Sequence, residues 1–161
     1  MKYGVCVVAV VLGLQTASAF AACDTSKPNQ KPTSGYVLKG ATAFDKATNL
    51  TWQRCSVGQT WDGKGCAGAV KGVPWLDGQA LAENGWRIPT IDELKTLVSP
   101  TCAKPAINED VFPGIDKDSY YYWSMTEPRE NSVSYLDFAT GSVSADAPAE
   151  PYSVRFVRTG P

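Results

Sequence analysis

The ten residues from Gly85 to Leu94 constrain the fold of this chain more than any other stretch of similar length. Pro89 fixes its own φ and biases the preceding residue toward an extended backbone, so no regular helix runs through this point. Thr90 and Glu93 then form a capping-box pattern, in which each side chain accepts a hydrogen bond from the other residue's amide. Apolar residues follow at helical spacing: Ile91, Leu94, Leu97 and Val98. The sequence therefore predicts an extended segment up to Pro89 and a helix whose N-cap is Thr90.

The aromatic and cationic residues around this turn are expected to be structural. We assign to the core the tryptophans that stand on or beside predicted elements, namely Trp52, Trp75, Trp86 and Trp123. Arg87 stands between a tryptophan and Pro89, and we expect it to pair with a nearby glutamate or with backbone carbonyls. The alternative for Arg87 is a clamp on a carboxylate or sulfate of a ligand.

The N-terminal residues 1–21 have the pattern of a secretory signal peptide. Lys2 precedes an apolar run from Val5 to Leu14, and small residues stand before the expected cleavage site. The run is too short to span a bilayer, and no later stretch is apolar enough to be a transmembrane segment. We therefore expect a protein that is secreted, periplasmic or on the cell surface. Lipidation of Cys23 is an alternative, because Phe20 to Cys23 distantly matches a lipoprotein cleavage box.

Cysteine content predicts two disulfides. Removal of the signal peptide takes away Cys6 and leaves Cys23, Cys55, Cys66 and Cys102. An even count in an exported chain indicates a disulfide framework, for which the sequence allows three pairings. We favour the pair Cys55–Cys66, since these residues flank a glycine-rich loop that can fold back on itself, together with the pair Cys23–Cys102.

Charge and histidine content exclude several functions. The chain has 15 basic and 16 acidic residues, so without Lys2 the formal charge is −2, and no basic stripe is present. Nucleic-acid binding therefore lacks its electrostatic signature. The chain has no histidine, which excludes Ser-His-Asp, Cys-His and histidine-based zinc sites, and we expect no enzyme activity, no cofactor and no metal. The acidic segment from Glu109 to Asp118 fits no calcium-loop spacing, so we expect a solvated loop with calcium binding as the alternative.

The order of predicted elements indicates a single α+β domain at 36–161 that follows a polar tether at 22–35. Two helices are predicted at about 76–83 and 91–98. Strand patterns occur at 36–38, 43–45, 50–55, 120–126, 133–138, 141–145 and 152–158. This order favours a twisted antiparallel sheet with both helices on one side, in which the first strands pair with the closing strand.

Several ordered blocks of sequence resemble a bacterial family, the Lcl-type C-terminal domain. The blocks are residues 45–55, 58–63 before Cys66, 85–90 with Glu93 and Leu94, Cys102 with 105–108, 111–113, 122–124 and 154–158. The family is named after the adhesive C-terminal domain of a collagen-like surface protein, and it is similar to C-type-lectin-like and formylglycine-generating-enzyme-like folds. The resemblance implies a disulfide-stapled, C-type-lectin-like scaffold and a role in adhesion or in binding sulfated glycosaminoglycans.

We therefore hypothesise an exported, adhesive or glycan-binding interaction module that acts through its irregular loops rather than its sheet. The candidate ligand-binding residues are Trp61, Asp62, Tyr121 and Arg129, together with the Glu109–Asp118 segment. A net charge of −2 opposes binding of heparin-like chains unless basic residues cluster, for which the candidates are Lys64, Lys71, Lys104 and Arg129. The alternative is a structural or accessory subunit of a cell-envelope or secretion assembly that binds an envelope or host protein, and a homo-oligomer is compatible with either. A formylglycine-type oxidase comes third, because no cysteine follows Cys102.

Overall fold

The computed structural model of the protein describes residues 22–23, 31–127 and 129–161. The predicted signal peptide and residues 24–30 of the predicted tether lie outside the described residues. The strands are β1 (Ala22–Cys23), β2 (Tyr36–Lys39), β3 (Thr42–Asp45), β4 (Leu50–Gln53), β5 (Thr60–Trp61), β6 (Cys66–Ala67), β7 (Cys102–Ala103), β8 (Tyr121–Trp123), β9 (Val133–Asp137), β10 (Ser142–Asp146) and β11 (Val157–Thr159). The helices are α1 (Trp75–Ala80), α2 (Ile91–Lys95) and a 3₁₀ turn at Thr33–Gly35. This composition confirms the predicted α+β class.

A four-stranded antiparallel sheet has the order β11-β4-β3-β2. Its register aligns Val37, Phe44, Thr51 and Arg158 across the strands. Directly paired residues share a face of a sheet, and neighbours along a strand alternate between faces. One face therefore carries Trp52 and Val157 into the core, while the other carries Phe44 and Arg158 outward. We call this second side the outer face of the four-stranded sheet.

The remaining strands form separate sheets, which differs from the single sheet that the sequence predicts. A three-stranded antiparallel sheet has the order β10-β9-β8, and β1 with β7 and β5 with β6 form two-stranded ribbons. The predicted hairpin of 133–138 and 141–145 is confirmed as β9–β10. Because the sheets are separate, the helices do not cover one common face: Leu94 of α2 lies in one core cluster and Trp75 of α1 lies in another.

The closing segment runs between the four-stranded and the three-stranded sheet. Val157–Thr159 pairs with β4, as predicted, but the strand is shorter than the predicted 152–158. Tyr152 and Ser153 instead pair with residues outside β4, and Arg155 is fully buried between these two attachments. Its guanidinium donates to the carbonyls of Gln53 and Arg54. The alternating pattern that predicts one strand thus belongs to a segment that crosses from one sheet to the other.

Both helices end earlier than the sequence predicts, and local hydrogen bonding gives the reason. After α1, the Ala82 amide donates to the carbonyl of Gln79, three residues back, and the chain then turns away at Asn84 and Gly85, which both have positive φ. After α2, the amides of Leu97 and Val98 donate to carbonyls three residues back, which is the tighter 3₁₀ pattern. Leu97 is nevertheless buried, so the predicted apolar stripe keeps its role.

The core comprises two apolar clusters. The larger one contains Trp52, Leu94, Phe112 and Tyr122, and the smaller one contains Trp75 and Trp123 among others. Trp52, Trp75 and Trp123 are buried, as predicted, whereas Trp86 is only half-buried at the edge of the smaller cluster.

The two disulfides pair Cys23 with Cys102 and Cys55 with Cys66, which confirms the favoured pairing. The first disulfide joins the β1–β7 ribbon, and the second ties β6 to the end of the four-stranded sheet. Structural disulfides fit an oxidising compartment outside the cytoplasm. Among the described residues, no helix has the length and apolar character needed to cross a membrane.

Candidate functional site

The capping-box motif predicted from the sequence is a closed network around Glu93. Its carboxylate accepts two hydrogen bonds from Arg87, at 2.7 and 2.6 Å, and a third from the Thr90 amide at 2.7 Å. The Thr90 hydroxyl accepts from the Glu93 amide, which completes the box. Burial raises the pKa of Glu93, but the hydrogen bonds from Arg87 and Thr90 outweigh burial and hold that pKa below its ordinary value. Arg87 is therefore paired with a glutamate, as expected.

This network fixes the position of Trp86 on the surface. The backbones of Arg87 and Val157 exchange two hydrogen bonds of 3.0 and 2.9 Å, which join the motif to β11. The neighbouring side chains then meet on the outer side, where the Arg158 guanidinium lies 4.8 Å from the centre of the Trp86 ring. The position of Trp86 is thus set by the backbone pairing of Arg87 with β11 and by the stacking of Arg158 on the indole ring.

A second tryptophan, Trp61, lies on the β5–β6 ribbon. It pairs in the ribbon with Cys66, which the disulfide joins to Cys55. Asp62 shapes the ribbon's turn, because its carboxylate accepts from the backbone amides of Lys64 and Gly65 at 2.8 Å each. These backbone hydrogen bonds hold the pKa of Asp62 below its ordinary value. The disulfide and the turn therefore fix the ribbon on which Trp61 stands.

Arg54 supports one face of the Trp61 ring. Its guanidinium carbon lies 4.1 Å from the ring centre, close enough for a cation–π interaction. The same guanidinium donates to the carbonyls of Val111, Gly40 and Asp110 at 2.8, 3.1 and 3.0 Å. Because three backbone carbonyls and an indole surround it, Arg54 is buried without a carboxylate partner. The Trp61 ring therefore has one face on a rigid support.

Trp61 and Trp86 line the same surface cleft, which has a volume of about 380 Å³. The lining consists of Ala41, Thr42, Gln53, Cys55, Gln59, Thr60, Trp61 and Trp86. All of these side chains are uncharged. The Gln59 amide is engaged within the protein, with the Ser56 amide and the Gly68 carbonyl. The Gln53 side-chain amide makes no hydrogen bond within the described part of the chain, and it is available to a ligand.

A smaller hollow of about 230 Å³ lies along the outer face of the four-stranded sheet and shares Thr42 with the cleft. Its lining includes Phe44, Val37 and the two cations Lys39 and Arg158. The outer face thus bears basic residues that the sequence analysis did not single out. We refer below to the Trp61–Trp86 site as the cleft and treat this hollow as its continuation.

The four predicted ligand-binding residues do not form one site. Trp61 lines the cleft, and Asp62 caps the adjacent turn. Tyr121 lies on β8 and packs against Tyr135 and Tyr152 on the other sheet. Arg129 is exposed in the turn that precedes β9, where its carbonyl accepts from Ser132. No recorded contact within the described residues joins these positions into a common surface.

The acidic segment from Glu109 to Asp118 is engaged in internal contacts. Glu109 pairs with Lys117 at 2.6 Å, and the Asp116 carboxylate accepts from the hydroxyls of Ser119 and Ser153 at 2.9 and 2.6 Å. Burial raises the pKa of Asp116, but the hydrogen bond from Ser153 and those from the 118–119 turn outweigh it and lower the pKa overall. Across the described residues, no group of three or more acidic or cysteine side chains has the arrangement of a metal site.

Trp61 is the one lining residue of the cleft to which the sequence analysis gives a ligand role, and it gives none to Trp86 or Gln53. Trp86 was assigned to the core because it stands beside a predicted helix. For Gln53 a signal was present, since alternation along the predicted strand at 50–55 puts Gln53 on the face opposite to the buried Trp52. The position of Trp86 depends on the backbone pairing of its neighbour Arg87 with Val157 of β11. Because these residues are far apart in the sequence, no local pattern predicts that pairing.

The model of the family described as the Lcl C-terminal domain matches residues 41–158. The matched range includes every residue that lines the cleft. No curated protein shows a significant match to the chain.

Proposed function

The chain belongs to the Lcl C-terminal domain family, and on that premise we propose that it is a non-catalytic binding module that holds a glycan in the cleft between Trp61 and Trp86. The observation that carries this proposal is the pair of indoles on one uncharged cleft, one of them fixed by Arg54. The resemblance to an adhesive domain supports the same class of ligand.

The chemistry of the cleft suits a sugar ring. Indole rings offer a broad apolar face together with one polar N–H group, so they contact the C–H face of a pyranose without excluding its hydroxyls. The Gln53 amide and the Thr60 hydroxyl supply donors and acceptors that can fix the orientation of those hydroxyls. Because no charged side chain lines the cleft, the sugar in contact with the two indoles is expected to be neutral.

Rigid support of the cleft favours binding. Arg54, the Cys55–Cys66 disulfide and the Asp62 turn hold Trp61 in place before any ligand arrives. A site that is already ordered loses little conformational entropy on binding. In this proposal the ligand contacts both the β5–β6 loop and the outer face of the four-stranded sheet.

The proposed place of action is outside the cytoplasm, with the protein secreted, periplasmic or at the cell surface. The N-terminal pattern of 1–21 and the two disulfides support this location. Absence of histidine from the whole sequence supports binding rather than acid–base catalysis.

The test is a glycan array with neutral and acidic glycans, followed by calorimetry on the best ligand. We expect Trp61→Ala and Trp86→Ala each to weaken binding about 10-fold or more, equivalent to about 1.4 kcal/mol. Leu76→Ala is the matched control, because Leu76 is an apolar side chain exposed on α1 and does not line the cleft. Arg129→Ala in the same assay tests the loop residue that the sequence analysis favoured.

Two results would contradict the proposal. Unchanged affinity of both tryptophan variants would exclude the cleft as the site. If the array shows no glycan binding at all, then the envelope-subunit hypothesis replaces this one, and co-purification with envelope proteins is the experiment that follows.

A further inference from the structure

Three tyrosines form a compact group on the three-stranded sheet, away from the cleft. The ring centres of Tyr121, Tyr135 and Tyr152 are 5.0, 5.2 and 4.8 Å apart, and each ring is partly exposed. Trp123 is fully buried beneath them, with its ring centre 4.6 Å from that of Tyr152. The fold of the core explains the burial of Trp123, but it does not require three tyrosines at the surface above it.

The register of the sheet shows which residues surround the tyrosines. Tyr121 is opposite Asp137, which is opposite Ser142, and Trp123 is opposite Tyr135, which is opposite Ser144. Residues that pair directly share a face, so the serines of β10 lie on the same side as the tyrosines. Asp146 at the end of β10 accepts a hydrogen bond from the Tyr152 hydroxyl at 2.8 Å. We call this surface, formed by Tyr121, Tyr135, Tyr152, Ser142, Ser144, Asp137 and Asp146, the tyrosine face.

The stretch of chain that supplies most of the tyrosine face carries only negative charges. The sequence from 130 to 154 supplies β9, β10 and Tyr152, and it contains neither lysine nor arginine. The same stretch contains four acidic residues, Glu130, Asp137, Asp146 and Glu150. Strand β8, the third strand of the sheet, has no charged residue. The tyrosine face is therefore anionic as well as aromatic.

Strand β10 also leaves one side of its backbone unpaired. It is the outer strand of its sheet, and within the described residues it pairs with β9 alone. Ser142, Val143 and Ser144 are exposed, and 42% of the Val143 surface is accessible. An exposed edge presents a row of amide and carbonyl groups that an extended chain can bind as an additional strand.

We propose that the tyrosine face binds an extended polypeptide segment that carries lysine or arginine side chains and adds to the sheet along β10. Backbone hydrogen bonds to the strand edge would seat the segment. Side chains at alternate positions would then project over the tyrosine face, where an ammonium or guanidinium group meets aromatic rings and the Asp146 carboxylate. A free small cation lacks the backbone groups that match the edge, so the occupant that fits both features is a basic polypeptide.

This inference does not depend on the proposed glycan site. The tyrosine face shares no residue with the lining of the cleft. A variant of one surface therefore serves as a control for the other.

The experiment uses two fluorescently labelled synthetic peptides, one alternating lysine with threonine and one alternating glutamate with threonine. Fluorescence anisotropy with the full mature protein measures their affinity at low and moderate salt. We expect the lysine peptide to bind, the glutamate peptide not to bind, and the affinity to fall as salt is raised, since salt screens exposed charges. Trp61→Ala should bind the lysine peptide as the unmodified protein does.

Ser144→Lys is the decisive variant, because Ser144 is exposed in the middle of β10 and its side chain makes no recorded hydrogen bond with the described residues. We expect it to weaken binding of the lysine peptide about 10-fold or more, equivalent to about 1.4 kcal/mol, through like-charge repulsion. Leu76→Lys adds the same charge on α1 and should leave binding unchanged. Tyr121→Ala should also weaken binding, and thermal unfolding checks that each variant is folded.

Three outcomes would overturn the proposal. They are failure of the lysine peptide to bind, equal loss of affinity in Ser144→Lys and Leu76→Lys, and unchanged affinity in Ser144→Lys. A fourth outcome is tested by sedimentation of the protein alone. If the protein self-associates and Ser144→Lys abolishes that association, the occupant of the tyrosine face is a second copy of the chain, which contradicts the proposal of a basic segment.

Discussion

The indole of Trp61 rests on the guanidinium of Arg54, whereas Tyr121, Tyr135 and Tyr152 rest on one another and on buried Trp123. Both arrangements bring aromatic rings to the surface of a small sheet. Their electrostatic surroundings are nevertheless opposite. Arg54 and Arg158 stack on the two indoles of the cleft, whereas the Asp146 carboxylate accepts a hydrogen bond from Tyr152 on the tyrosine face.

The difference shows that aromatic content alone does not set what a surface can bind. Arg54 supports one face of Trp61 but does not itself line the cleft, and every side chain that does line it is uncharged. On the tyrosine face Asp146 is half-buried, and its carboxylate accepts a hydrogen bond from the Tyr152 hydroxyl at the rim of the rings. We therefore propose an uncharged ligand for the cleft and a cationic one for the tyrosine face.

Among the substitutions that test this difference between the two surfaces, Arg54→Ala is expected to lower stability most. The substitution removes one buried hydrogen bond, to the Val111 carbonyl, and two partly buried ones, to Gly40 and Asp110, and it removes the support beneath Trp61. We expect the free energy of unfolding to fall by about 3 kcal/mol, measured by urea denaturation.

Arg158→Ala is the matched control for Arg54→Ala. Arg158 also stacks on an indole, that of Trp86, but its guanidinium donates to no carbonyl among the described residues. Its loss should cost only about 0.5–1 kcal/mol. Equal destabilisation by the two substitutions would show that the carbonyl contacts of Arg54 do not support the cleft.

Sequence patterns predicted the structural features that depend on residues close together in the chain. The capping box joins atoms of Thr90 and Glu93, three residues apart, so composition and spacing suffice to find it. The β9–β10 hairpin has the same local character, since one short turn sets its register. Cys55 and Cys66 could be paired for a related reason, because only a short glycine-rich loop separates them.

Both candidate binding surfaces escaped the sequence analysis because their geometry is set by contacts between distant segments. Trp86 reaches the cleft through the backbone pairing of Arg87 with Val157, near the other end of the domain. Tyr121 was proposed as a ligand contact, but its grouping with Tyr135 and Tyr152 depends on how three segments meet on one face. The alternating pattern of 152–158 could not show this, because buried Arg155 divides that segment between two sheets.

A smaller loss of stability is expected from Glu93→Gln, which tests whether the network of Arg87, Thr90 and Glu93 supports the cleft. The substitution keeps the shape of the side chain but removes the charge that holds Arg87 and part of the capping box. We expect about 1–2 kcal/mol of destabilisation by urea denaturation at neutral pH. Because Trp86 adjoins Arg87, affinity for the cleft ligand should fall as well. Asp92→Asn, at an exposed position of the same helical turn, is the control and should change neither quantity by a comparable amount.

The same residue predicts an acid-sensitive component of stability. The pKa of Glu93 is lower in the folded protein than its ordinary value of 4.5, so the folded state binds this proton less tightly than the unfolded state does. The contribution is therefore fully present above pH 4.5 and is lost as the pH falls through the folded-state value. Urea denaturation between neutral pH and pH 3 should show a shallower decline for Glu93→Gln than for the unmodified protein. Parallel declines would contradict the assignment.

On the tyrosine face the smallest effect is expected from Tyr152→Phe, which removes one hydroxyl and leaves the ring packing intact. The lost hydrogen bond to Asp146 lies at the surface, so we expect about 1 kcal/mol of destabilisation or less at neutral pH. Burial first and Asp146 second raise the pKa of Tyr152 above its ordinary value of 10.0. The protonated hydroxyl therefore stabilises the folded state fully below pH 10, and this contribution is lost as the pH rises further.

Unfolding experiments from pH 7 to pH 11 would test this sign, because the stability difference between the unmodified protein and Tyr152→Phe should narrow above pH 10. Ultraviolet titration of the folded proteins over the same range should show equal numbers of tyrosinates in the unmodified protein and in Tyr152→Phe, because the raised pKa keeps the Tyr152 hydroxyl protonated. Tyr135→Phe is the control at neutral pH, since the Tyr135 hydroxyl makes no hydrogen bond within the described residues and its removal should cost less stability than Tyr152→Phe. A difference that widens with rising pH would mean that Asp146 does not stabilise the protonated hydroxyl. In that case the carboxylate at the rim would be free to turn toward solvent, and the anionic character that separates the tyrosine face from the cleft would not be fixed in position.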